Sequence, residues 1–280
     1  MKILLFGDRG CFGTAMSHAC MLRNLNYHGL SRQDVDILDD SAIENVIRSH
    51  KPDLVVNSVA LVGIDPCEKD TEMAHAVHVH AVRKMASVCS ELDAVFVQPS
   101  THAVFDGNKD GFYTESDCPL PTNIYGVTKL ASEHIARYAT RRHYVPRFPT
   151  LFGPRRNKAL GFVDKMVQRL RNGQTVKVAS DKIDSPTYSL DAANIILDMV
   201  EGEKPYGVYH VVNSGAVSYF DLIEALRDHL NSSSQIFKAK EADFPGLAPK
   251  PLRTAMKSEK LPEIRTWDAA LEAWIDEFVE

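Results

Sequence analysis

The 280-residue chain has no Cys-x-x-Cys pair, no basic tract, no internal repeat and no low-complexity segment. Its longest apolar runs fall far short of the ~20 residues a membrane span needs. Its five cysteines, Cys11, Cys20, Cys67, Cys89 and Cys118, are an odd and scattered set. They read as reduced thiols of a cytoplasmic protein, not as a disulfide framework or a zinc site. A net charge of −5 with pI near 6.1 and no basic tract argues against nucleic acid as a partner. A strand-like run begins at Lys2, without the charged and apolar regions of a signal peptide. Eleven histidines include His75, His78 and His80. His75 and His78 share a helix face, but no nearby cysteine or third ligand completes a metal site.

What the chain does have is an ordinary globular balance, 44% hydrophobic and 25% charged residues, enough for one or two domains. Lys2–Phe6 predicts a strand, Gly7-Asp8-Arg9-Gly10-Cys11-Phe12-Gly13 a glycine loop, and 14–25 a helix. Strand, loop and helix N-terminus together make an anion site, because glycines let backbone approach a pyrophosphate and first-turn N–H groups point at it. The spacing is Gly-x-x-Gly-x-x-Gly, a variant of the dinucleotide fingerprint. A second strand over 27–30 ends in Ser31-Arg32. An acid there would hold a ribose 2′-hydroxyl, whereas Arg32, with Arg9 nearby, suits a 2′-phosphate; NADPH is the expected cofactor and NADH the alternative.

The pattern then repeats. Asp40-Ser41 caps a helix whose Ile43, Val46 and Ile47 face a sheet, and 54–57 is a third strand ending in Asn57-Ser58-Val59-Ala60. A long helix over 71–92 precedes a strand from Ala94. Alternation of this kind predicts an α/β, Rossmann-type doubly wound parallel sheet over 1–150. A smaller α/β domain over 151–280 follows, with the strand near 208–212 returning to the main sheet. Ligands bind at the carboxyl ends of such strands, where Gly7, Ser31, Asn57 and Thr101 stand.

The chemistry gathers between Gln98 and Lys129. Ser100 and Thr101 follow the strand at Ala94, and after a turn-rich excursion a helix runs from Tyr125 to about 142. Tyr125 and Lys129, four residues apart, share one helix face. An ammonium beside a phenol is expected to lower its pKa, so that Tyr125 exchanges a proton with a carbonyl oxygen that a strand-end hydroxyl also binds. Pro146 predicts an irregular strand over 144–148. Gly153-Pro154-Arg155-Arg156-Asn157-Lys158 is a basic loop, and Trp267, Leu271, Trp274 and Phe278 recur at helical spacing as core anchors.

The glycine loop, Asn57-Ser58-Val59-Ala60, Ser100-Thr101, Val104-Phe105-Asp106-Gly107, Tyr125-x-x-x-Lys129 and Ser185-Pro186-Thr187, all in order, resemble the extended short-chain dehydrogenase/reductases. Within these the chain is similar to the dTDP-4-dehydrorhamnose reductase family, over its whole length. The resemblance implies NADPH-dependent reduction of the 4-keto group of a nucleotide-linked deoxysugar. Tyr125, Lys129, Thr101 and Ser100 would be catalytic. Gly7, Arg9, Gly10, Cys11, Phe12, Gly13, Ser31, Arg32, Asp36, Ile37, Ser58, Val59 and Ala60 would line the cofactor. His102, Phe105, Arg155, Arg156, Phe162 and Pro186 would face the sugar nucleotide, with the two arginines on its diphosphate. No metal is implied, and a homodimer is one option. His102 stands where the family carries Asp, His80 where it carries Asn, and Gly161-Phe162 replaces Asn-Phe. Two other activities stay open: a sugar-nucleotide epimerase or dehydratase of the same superfamily, and a non-catalytic NADP-binding subunit resembling the methionine adenosyltransferase β subunit.

Overall fold

The structure, a computed structural model, describes residues 1–157 and 159–279, so Lys158 of the basic loop lies outside the described residues. In chain order the first half comprises β1 (Lys2–Phe6), α1 (Cys11–Leu22), β2 (Asn26–Leu30), α2 (Asp40–His50), β3 (Leu54–Asn57) and α3 (Ile64–Lys69). Then come α4 (Thr71–His75), a π-helical turn (Ala76–His80), α5 (Ala81–Glu91), β4 (Val95–Val97), β5 (Ser100–Thr101), α6 (Ile124–Ala139) and β6 (His143–Phe148). The second half adds β7 (Leu151–Phe152), α7 (Phe162–Arg171), β8 (Val176–Ala179), β9 (Ile183–Asp184), β10 (Thr187–Tyr188) and α8 (Ser189–Glu201). It ends with β11 (Gly207–His210), β12 (Val217–Ser218), α9 (Tyr219–His229), β13 (Ile236–Ala239) and α10 (Trp267–Phe278).

Burial follows from the two-residue period of a strand. Ile3 and Leu5 of β1, Leu54 and Val56 of β3, and Val95 and Val97 of β4 point into one core. Leu4, Phe6, Val55 and Phe96 point into another on the opposite face. A sheet apolar on both faces must be covered on both, and the result is a seven-stranded sheet in the order β11-β6-β4-β3-β1-β2, with β5 also on β6. Every pairing within it is parallel. The Rossmann-type sheet expected from the alternation is therefore present, and β11 lies beside β6. None of the described helices is long and apolar enough to cross a membrane.

Several local expectations change. Helix α1 begins at Cys11, with Gly10 as its N-cap, so Cys11, Phe12 and Gly13 form its first turn instead of preceding it. Asp39, one residue before the expected cap, takes the N–H groups of Ser41 and Ala42. The single helix expected over 71–92 is interrupted by the π-helical turn. Pro146 disturbs nothing: Val97 pairs with Tyr144 and Ser100 with Arg147, which sets Pro146 opposite Pro99, where the neighbouring strand breaks and neither residue has an N–H to leave unpaired. In α10, Leu271 and Trp274 are buried, whereas Phe278 is 40% exposed and meets His18 edge-on. Phe278 is thus not the core anchor its spacing suggests.

Candidate active site

The glycine loop is shaped by contact. Gly7 has φ of +79°, and a Cβ there would stand 2.9 Å from Val59 Cγ2 and against the Ser58 backbone. A Cβ at Gly13 would lie 2.1 Å from the Gly7 carbonyl oxygen. The loops after β1 and β3 therefore touch, and the first turn of α1 presents its free N–H groups beside a side-chain-free surface, the cradle a pyrophosphate needs. Phe12 contributes only backbone, since its ring is buried against Phe148 at 4.9 Å. At the β2 end, Arg9 and Arg32 are exposed, but the Ser31 hydroxyl is bound to Asp34 at 2.7 Å. That bond, with the Arg9 charge among lesser causes, holds the Asp34 carboxyl low. Asp8 adds a second acid, one of its oxygens buried without a hydrogen-bond partner among the described residues. Both signs of charge thus meet where a ribose 2′ group would lie, and the two acids escape a reading of Ser31-Arg32 alone. Asp36 caps its own turn at Leu38, and Ile37 and Leu38 help line a hollow of about 480 Å³ with Ala76, His80 and Arg83.

Tyr125 and Thr101 come together because of Gly126. A Cβ at 126 would lie 2.2 Å from the Ala103 carbonyl oxygen, so only glycine lets the turn after Thr101 press on the first turn of α6. That turn is capped twice, by Asn123 accepting from the Gly126 N–H at 2.9 Å and by Glu68 accepting from the Ile124 N–H at 2.8 Å. Burial pushes the Tyr125 phenol up to about 12, and the Thr101 hydroxyl pulls the other way. Lys129, which its spacing made the main influence on the phenol, is outweighed by that burial. Its Nζ donates instead to the Pro99 carbonyl at 2.6 Å, while burial pushes the ammonium down to about 8 against the pull of Glu133.

Two expected site residues are turned elsewhere. Successive strand residues face opposite ways, so while the Thr101 hydroxyl acts on the Tyr125 phenol, Ser100 donates to Glu133. Glu133 also takes both arms of Arg147, at 2.9 and 2.8 Å, both side chains being 5% exposed. Phe105 is fully buried, stacked on Tyr113 at 4.2 Å and beneath Arg147, and cannot touch a substrate. Arg155 pairs with Asp164, and Arg156 lies over the glycine loop, its N–H on the Arg9 carbonyl and its side chain 3.9 Å from Asp8. Phe162 stacks on Tyr219 at 4.7 Å, and Tyr219 shares a 2.7 Å hydrogen bond with Thr150; Pro186 is buried.

His78, within the π-helical turn, is a support that sequence spacing assigned to no partner. Its Nε2 accepts from the Leu61 N–H at 3.1 Å, so its Nδ1 donates to Thr128 at 2.8 Å, and the ring meets Tyr125 edge-on at 5.8 Å. Burial, then the Lys129 charge, push it down to about 3. Burial also pushes His210 down. The unfolded chain therefore binds protons that the folded one refuses. Stability is complete above the ordinary histidine range, near pH 6.5, and declines as pH falls through and below it. At pH 5 His78 alone is expected to cost about 2 kcal/mol. Urea unfolding midpoints between pH 7.5 and 5 should fall, and fall less in His78→Gln.

The RmlD substrate binding domain family model matches residues 1–280. Among curated relatives, the spore coat polysaccharide biosynthesis protein SpsK of Bacillus subtilis is 26% identical over 99% of this chain and 97% of its own. A dTDP-4-dehydrorhamnose reductase of Aggregatibacter actinomycetemcomitans is 27% identical, covering 94% of this chain and 92% of its own. A crystal structure of a dTDP-4-dehydrorhamnose reductase ortholog from Clostridium acetobutylicum superposes with a TM-score of 0.94 at 26% identity, over all of both chains.

Proposed function

The chain belongs to the RmlD substrate binding domain family, and on that premise we propose that it reduces the 4-keto group of a dTDP-linked 6-deoxyhexose, using NADPH. The observation that carries this reading is Tyr125 held by Gly126 against Thr101, with Lys129 one helical turn on and a glycine cradle at the neighbouring strand ends. The relatives named dTDP-4-dehydrorhamnose reductase support the substrate class.

Gly7 and Gly13 leave room for a pyrophosphate, the first-turn N–H groups of α1 bind it, and the hollow beside Ile37 and His80 suits the adenine. The bound cofactor supplies hydride to the sugar carbonyl carbon. Thr101 donates to the carbonyl oxygen, and Tyr125 gives that oxygen its proton. A phenol held near 12 stays protonated at neutral pH, and so is loaded for reduction, yet it is far more acidic than an alcohol. Lys129, tethered at Pro99, carries the positive charge that steadies the phenolate once the proton has left.

The reading is tested by NADPH oxidation with a panel of 4-keto-6-deoxy sugar nucleotides. Oxidation dependent on a dTDP-linked member is expected; no oxidation with any member contradicts the reading.

A further inference from the structure

His102 is the site residue whose surroundings the proposed proton transfer does not use. It opens the turn directly after Thr101, one residue from the hydroxyl assigned to the carbonyl, and its side chain is 16% exposed. Its ring is fixed from one edge only. Nδ1 lies 2.9 Å from Asp184 Oδ1 and 3.5 Å from the Thr254 hydroxyl, and Nε2 has no hydrogen bond among the described residues. Asp184 is 0% exposed and carries no arginine or lysine salt bridge among the described residues. Its other donors are the backbone N–H groups of Thr150 and Ser185, each at 2.9 Å. Burial would raise this carboxyl, but the His102 and Thr150 contacts outweigh it and hold the group low.

A buried carboxylate with donors on both oxygens can only accept, so it dictates that His102 carries its proton on Nδ1. In that tautomer the lone pair is on Nε2. Burying a charge costs several kcal/mol, a large outlay for joining two segments that an asparagine could join. A carboxylate is needed where the ring must be held in one tautomer.

We infer that His102, oriented by Asp184, is a specificity-determining residue whose Nε2 accepts a hydrogen bond from the sugar hydroxyl next to the carbonyl that Thr101 binds. In a 4-keto-6-deoxyhexose the carbon on one side of the carbonyl carries the C3 hydroxyl and that on the other only methyl and ring oxygen. The C3 hydroxyl is thus the group recognised. Asp184 is a positioning residue, acting through the ring. The inference rests on the proposed reduction and adds to it the sugar contact.

The test compares a dTDP-4-keto-6-deoxyhexose with its 3-deoxy analogue, in wild type, His102→Asn, His102→Gln and Asp184→Asn. Asparagine at 102 can keep the bond to Asp184 but has no Nε2, whereas glutamine can place its amide oxygen near the Nε2 position. His102→Asn should lower kcat/KM for the 3-hydroxy substrate roughly 10–100-fold and leave the 3-deoxy analogue nearly unchanged. His102→Gln should recover part of the loss, Asp184→Asn should mimic His102→Asn, and NADPH affinity should hold in the His102 variants. Equal losses on both substrates, or none on either, would overturn the contact while leaving the reductase reading intact. Absence of turnover in wild type would overturn both.

Discussion

Tyr125→Phe should cut the reduction rate by roughly 10²–10⁴-fold while leaving NADPH affinity almost unchanged. The change removes one oxygen, the one on which the Thr101 hydroxyl acts. Phenylalanine keeps the ring and its edge-on contact with His78, so α6 and its double cap stay in place. The hydroxyl of Thr101 can still polarise the substrate carbonyl and Lys129 is still tethered at Pro99, which is why a residual rate is expected. Steady-state kinetics with a fluorescence titration of NADPH separates the two effects. A rate within threefold of wild type would mean that the proton comes from elsewhere.

Glu133→Ala should destabilise the fold by about 3–5 kcal/mol, because it strands the buried Arg147 guanidinium without a counter-charge. It also takes the acceptor from Ser100 and the negative charge that supports the Lys129 ammonium. Glu133→Gln separates these roles: the amide oxygen can still accept from Ser100 or Arg147, while the charge is gone. Its Lys129 should lose its proton at lower pH than in wild type, where burial already holds it near 8. The alkaline limb of the pH–rate profile should move down in Glu133→Gln, and urea unfolding should show the larger loss in Glu133→Ala. An unchanged profile would remove Glu133 from any part in holding the Lys129 charge.

Glu133 also shows where legibility in the sequence stops. The alternation of strands and helices and the glycine loop follow from local periodicity and loop composition, and the structure contains both, with Tyr125 and Lys129 on one helix as their spacing requires. Glu133 extends the same helix face by another four residues, so spacing could have brought it to notice; what spacing could not supply was Arg147 from the next strand. Ser100 was read with Thr101 as one pair of hydroxyls, although alternation along a strand turns them apart. The bond between His102 and Asp184 joins the turn after β5 to β9, and no local pattern encodes such a partner. Phe105 was set facing the sugar nucleotide by the resemblance alone; its burial comes from Tyr113, Arg147 and His210, contacts of the tertiary fold. Likewise the phenol's acidity was read from its helical neighbour, whereas burial decides its direction.

Net hydride transfer to the sugar, with Tyr125 as the proton donor, is the central step. Incubating the protein with [4-²H]NADPH and a dTDP-4-keto-6-deoxyhexose, then locating the deuterium by NMR, tests this most directly. The predicted result is deuterium at sugar C4, one NADP⁺ formed per sugar reduced, and neither in Tyr125→Phe on the same timescale. A sugar altered with no net NADPH consumed, or NADPH bound with the sugar left untouched, would contradict it.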